Sequence, residues 1–144
     1  MIKDAITFAI DSGVVDEDRI GIVGFSMGAY LAFRQAGNDP RVKAVVSVSG
    51  SMPLESRAKF PPTLILHGSN DGGTPIRIVR KVEDEFKAKN IPCEVYIYAR
   101  TGHNFEVPKF IDAGKRAGTF FDKYMKKAKT PPLKEKAPDP SSVK

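Results

Sequence analysis

Four short apolar runs, separated by stretches of helical periodicity, limit what this chain can become. Residues 19–25 hold Ile20-Gly21-Ile22-Val23, apolar on both faces, as buried strands of a parallel sheet are. Residues 42–49 form a second run and 63–67 a third, and 93–99 alternate from Cys93 to Tyr98 like a fourth strand. Ile2, Ile6, Ala9 and Ile10 make a helical stripe at the start, closed by Ser12-Gly13. A second helix is expected over 27–36, stopped at Gly37-Asn38. Thr74-Pro75 opens a third through about Lys89, with Ile76, Val79, Val82 and Phe86 facing inward. The last, about 106–127, carries Val107, Phe110, Ile111, Ala117, Phe120, Phe121, Tyr124 and Met125 at helical spacing, expected as core contacts. Strands separated by helices imply right-handed crossovers. The expected fold is α/β: about four parallel strands with helices on both faces.

The first strand runs into Gly24-Phe25-Ser26-Met27-Gly28 and then into Ala29-Tyr30-Leu31-Ala32-Phe33. Strand, G-x-S-x-G, then helix is the arrangement of a nucleophile elbow, in which a sharp turn lifts a serine above the sheet. Gly24 and Gly28 are expected to leave room where a Cβ would clash. Chance alone supplies the bare pattern in roughly one chain in twenty of this length, so its partners must decide. A serine hydroxyl needs a base to take its proton, usually His held by a carboxylate. The chain has only two His. His103 lies in Thr101-Gly102-His103-Asn104-Phe105, a loop past the fourth strand, placed to reach the serine. Asp71 lies in His67-Gly68-Ser69-Asn70-Asp71-Gly72-Gly73, at the C-terminal end of the third, where ligand chemistry collects in open α/β sheets. His67 is expected to bond backbone near that acid loop instead.

The Gly-Phe-Ser-Met-Gly elbow, the Leu-His-Gly-Ser-Asn-Asp loop and the Thr-Gly-His-Asn-Phe loop, in this order, resemble the α/β-hydrolase superfamily, and within it the dienelactone hydrolase family. The resemblance runs to about residue 127. It implies Ser26 as nucleophile, Asp71 as orienting acid, His103 as base and the Met27 N–H as an oxyanion donor. Phe25, Ser51, Met52 and Phe105 are the candidate substrate contacts. Dienelactone hydrolases proper carry cysteine at the nucleophile position, so serine points to a carboxylesterase-like relative acting on short-chain acyl esters. The resemblance covers the C-terminal half of the superfamily's eight-stranded sheet, without the loop that gives the second oxyanion donor. Losing one such donor costs ~10²–10³ in rate. A backbone N–H in the 50–54 loop or a partner subunit is the expected substitute. A non-catalytic remnant serving as a binding or oligomerisation module is the alternative expectation. A peptidase reading lacks the large gating domain its relatives carry.

The 144 residues are expected as a minimal hydrolase domain, 1–127, and a Pro-rich tail, 128–144, too poor in apolar residues to order itself. Of the net charge of +6, residues 123–144 carry +5 and residues 1–122 only +1. No aromatic residues interleave with the tail's lysines after Tyr124, which argues against single-stranded nucleic acid. One cysteine forms no internal disulfide and the N-terminus has no signal-peptide pattern, so a cytoplasmic location is expected. No apolar run reaches the ~20 residues of a membrane span. Cys93 reads as a small core residue, and no metal or cofactor is expected. The strand at 19–25 is expected at an exposed edge that a homodimer or higher oligomer covers.

Overall fold

The computed structural model describes residues 1–54 and 59–125. The expected tail, 128–144, and the last residues of the expected C-terminal helix lie outside them. The element order is α1 (Ile2–Asp11), β1 (Ile20–Phe25), α2 (Met27–Ala36), β2 (Val42–Val48), β3 (Thr63–Gly68), α3 (Ile76–Ala88), β4 (Cys93–Tyr98) and α4 (Val107–Met125). The strands form one parallel sheet in sequence order, β1-β2-β3-β4. Between β2 and β3 the described residues form no helix.

Branched residues build the centre of the sheet. β3 is buried throughout and β2 nearly so, because helices cover both of their faces. One core cluster joins Ile6 of α1, Ala32, Phe33 and Ala36 of α2, and Val79, Val82 and Phe86 of α3 to Val42, Val45 and Ile65. The rings of Phe33, Phe60 and Phe86 meet there, two of the three pairs at near right angles. The other cluster sets Ala113 and Phe120 of α4 against Ala44, Val46, Val48, Leu64, Leu66 and Tyr98. Cys93 is half-buried against the first cluster, and burial pushes its thiol pKa up to about 12.

One expectation about packing needs correction. Val107, Phe110 and Ile111 are exposed rather than core, since the line of α4 that meets the sheet runs through Ala113 and Phe120. β1 lies at the edge of the sheet, as its apolar run suggested, and Gly21, Val23 and Phe25 on its partly covered face are exposed. No helix among the described residues is long and apolar enough to cross a membrane.

Register aligns the strand ends on which the site is built. Phe25 pairs with Val48, Val48 with Leu66, and Gly68 with Tyr98. The ladder continues beyond the strands through Ser26 N–H to Val48 O, Ser49 N–H to Leu66 O and Ser69 N–H to Tyr98 O. Ser26, the Asp71 loop and the His103 loop therefore leave the sheet at one level.

Candidate active site

Ser26 sits between the last residue of β1 and the first of α2 with φ 53° and ψ −117°. A non-glycine residue at such angles costs about 1–3 kcal/mol, held here by the packing around it. That packing is tightest at Gly24, where a Cβ would stand 2.2 Å from Gly28 O and 2.3 Å from its carbonyl carbon. Gly50 is constrained likewise, with a Cβ reaching 2.7 Å from Ser26 O. The expectation for Gly28 was wrong: nothing lies within 4 Å of a Cβ there, because the crowding comes from its backbone pressing on Gly24.

Three side chains converge above this turn. Ser26 Oγ lies 2.8 Å from His103 Nε2, and His103 Nδ1 lies 2.9 Å from Asp71 Oδ2. The other carboxylate oxygen, Oδ1, accepts the N–H groups of Gly73 at 2.8 Å and Thr74 at 2.9 Å. Burial opposes the charge on Asp71, but the Thr74 N–H, His103 and the Gly73 N–H hold its pKa below the usual carboxylate value. An anion aimed at Nδ1 fixes the tautomer that leaves Nε2 free to accept the serine proton.

The Asp71 and His103 loops are stitched together by backbone. Asn70 N–H donates to Thr101 O at 2.8 Å, and Arg100 N–H to Ser69 Oγ at 2.9 Å. Gly68 permits this contact, since a Cβ there would stand 2.3 Å from Thr101 O. His67 is fully buried, and its Nε2–H donates to Thr74 O at 2.7 Å, bracing the turn whose N–H groups hold Asp71. Ser49, which the sequence reading missed, donates its Oγ to His103 O at 2.7 Å and itself adopts φ 52°. Only its place after a strand hints at that role.

A depression of about 480 Å³ opens over the serine, lined by Ser26, Met27, Tyr30, Gly50, Ser51, Gly73, Thr74 and His103. Met27 is the first residue of α2, so its N–H has no intrahelical acceptor and points out of the helix start. Ser51 lines the wall, and its Oγ is buried without a hydrogen-bond partner. Phe25 stands beside His103, with ring centroids 5.5 Å apart. The other two expected substrate contacts are placed elsewhere. Met52 is buried in the core cluster beneath α2 and α3, and Phe105 packs on Tyr98 at 4.8 Å in the opposite cluster.

A parallel sheet with serine, imidazole and carboxylate at its C-terminal edge is the arrangement of the α/β-hydrolase class. The sequence model of the dienelactone hydrolase family matches residues 1–134, and the chain belongs to that family. A Methylorubrum extorquens protein with the provisional name carboxymethylenebutenolidase is 30% identical over 113 residues, 70% of this chain and 39% of its own length. The chain thus spans about two-fifths of the length of curated relatives it matches. A provisionally named dienelactone hydrolase of Klebsiella pneumoniae superposes with a TM-score of 0.71 at 21% identity, covering 85% of this chain and 59% of that one. A thermophilic esterase of Thermogutta terrifontis does so with a TM-score of 0.72 at 18% identity, covering 84% and 61%. Both likenesses concern the fold.

Proposed function

We propose that this hydrolase cleaves short-chain carboxylic esters through an acyl-enzyme on Ser26. The observation that carries the reading is the unbroken relay from Ser26 Oγ through His103 to Asp71, with both links within 2.9 Å. Ser26 Oγ attacks the ester carbonyl while His103 Nε2 takes its proton, and the Met27 N–H receives the developing oxyanion. Asp71 favours the imidazolium formed in that step. His103 then returns the proton to the leaving alkoxide as the C–O bond breaks. Water, deprotonated by the same nitrogen, attacks the acyl-enzyme and releases the acid, and the proton goes back to Ser26.

The unpartnered hydroxyl of Ser51, in the wall of the same depression, is the candidate second donor to the oxyanion. Tyr30 and Met27 supply apolar wall, and among the described lining residues there is no Lys or Arg to hold a substrate carboxylate. Small neutral acyl esters fit these walls. Hydrolysis of p-nitrophenyl acetate by the wild type, abolished in Ser26→Ala with the fold intact by circular dichroism, is the expected result. Equal rates from both proteins would end the proposal.

A further inference from the structure

The second histidine of the chain lies near the end of β3, fully buried. Strand alternation puts His67 on the same face as Ile65, toward α3. Its Nε2–H donates to Thr74 O at 2.7 Å. A carbonyl can only accept, so in the neutral ring the hydrogen sits on Nε2 and Nδ1 is left as a bare acceptor. Nδ1 is buried and has no hydrogen-bond partner. An unpaired buried acceptor opposes folding. A side chain that served packing alone would not need one, since Met or Leu fills similar space without it. The imidazole is therefore kept for what its other nitrogen holds.

That nitrogen meets the relay twice. Thr74 is gripped at both ends: its C=O accepts from His67, and its N–H donates to Asp71 Oδ1 at 2.9 Å, beside the Gly73 N–H at 2.8 Å. His67 Nε2 also stands 3.7 Å from Asp71 Oδ2, the oxygen that accepts from His103 Nδ1 at 2.9 Å. This oxygen lies between two imidazoles, hydrogen-bonded to one and facing the N–H dipole of the other. We propose that His67 is a positioning residue for hydrolysis: it fixes the Thr74 backbone, and through it the carboxylate that sets the tautomer of His103. Its kinetic consequence rests on the ester-hydrolase reading of Ser26; its geometry does not. Without the His67 N–H, Thr74 O loses its tether and the Asp71–Thr74 turn can carry Oδ2 away from Nδ1. A misplacement of about 1 Å costs ~10² in rate. His67 stands outside the depression, behind its Gly73–Thr74 wall, so substrate binding is spared.

The test compares the wild type, without a histidine tag, with His67→Met and His67→Gln. Gln carries its amide nitrogen about as far from the backbone as Nε2 and can donate to Thr74 O; Met fills the space and cannot. With only two His in the chain, the variants leave His103 alone and so assign both rings. Long-range proton–nitrogen correlation spectra at mildly alkaline pH then show which ring nitrogen holds the hydrogen. The expected wild type has it on Nε2 of His67 and on Nδ1 of His103. In His67→Met, His103 should lose its single tautomer and kcat on p-nitrophenyl acetate should fall ~10²-fold, with KM within about twofold. His67→Gln should restore the Nδ1–H tautomer and recover at least about tenfold of the lost kcat. Should His67→Met fail to fold, His67→Asn, whose amide reaches only the place of Nδ1, takes its part in the comparison. A wild-type His67 protonated on Nδ1 overturns the proposal, as does a folded His67→Met with an unchanged His103 tautomer, or a Gln variant no better than Met. A wild type that cleaves no ester removes the ester reading alone; the His103 tautomer in the variants then decides, and an unchanged one overturns the role of His67.

Discussion

Replacing Asp71 by Asn tests the relay at its least exposed link. Oδ1 already accepts two backbone N–H groups, from Gly73 and Thr74. The amide oxygen of the introduced side chain would have to take that place, because turning its NH₂ toward two donors leaves both buried N–H groups unpaired, at about 1–3 kcal/mol each. The NH₂ then faces His103 Nδ1, where Oδ2 stood at 2.9 Å. The imidazole must accept there, so its hydrogen moves to Nε2 and points at Ser26 Oγ, 2.8 Å away. The serine loses its base, and the imidazolium loses its anion. Removing the carboxylate while keeping the geometry of such a relay costs ~10⁴ in kcat, about 5 kcal/mol of transition-state stabilisation. Since the Asp71 pKa lies below the usual value, its own protonation does not enter the rate profile above about pH 4. The deficit should therefore persist across neutral pH. The assay is p-nitrophenyl acetate turnover of wild type and Asp71→Asn, with thermal melts showing the variant folded. A folded variant within tenfold of wild type would refute the tautomer argument.

Three further outcomes follow from the geometry. Gly24→Ala should fail to fold or lose several kcal/mol in denaturant melts, since its Cβ would meet Gly28 backbone at 2.2 Å; Gly28→Ala should fold and melt within ~1 kcal/mol of wild type. Asp39, buried and bonded to Arg41 at 2.7 Å, has its pKa lowered to about 2 by that guanidinium. Its folded pKa is depressed, so its stabilisation is complete above the unfolded value near 4 and is lost as pH falls toward 2; Asp39→Asn should lower the neutral-pH melting temperature and flatten the melting curve over that window. Ser51→Ala should lower kcat by ~10²-fold with KM nearly unchanged, and an unaltered kcat would remove its hydroxyl from the oxyanion.

What the sequence revealed of the site was its through-chain grammar. Ser26, Asp71 and His103 each follow a strand by a few residues, and parallel register turns that spacing into proximity. Side-chain direction was not legible. Met52 and Phe105 sit one and two residues from depression-lining positions, yet the loops turn both into core clusters. Ser49 reads as a strand's last residue, and its hold on the His103 carbonyl arises only once φ becomes positive. The periodicity of α4 placed Val107, Phe110 and Ile111 with the core, because spacing gives the width of an apolar stripe but not how much of it the sheet covers. Gly28 was misjudged for a related reason. A glycine pair in a motif does not say which member needs the space and which member fills it.

Intact-mass spectrometry after fluorophosphonate treatment reads directly whether Ser26 is an activated nucleophile. The prediction is a single phosphonyl adduct on wild type, mapped to the peptide holding Ser26, absent from Ser26→Ala and strongly slowed in His103→Ala. An unmodified wild-type mass, or an adduct that persists in Ser26→Ala, would contradict it.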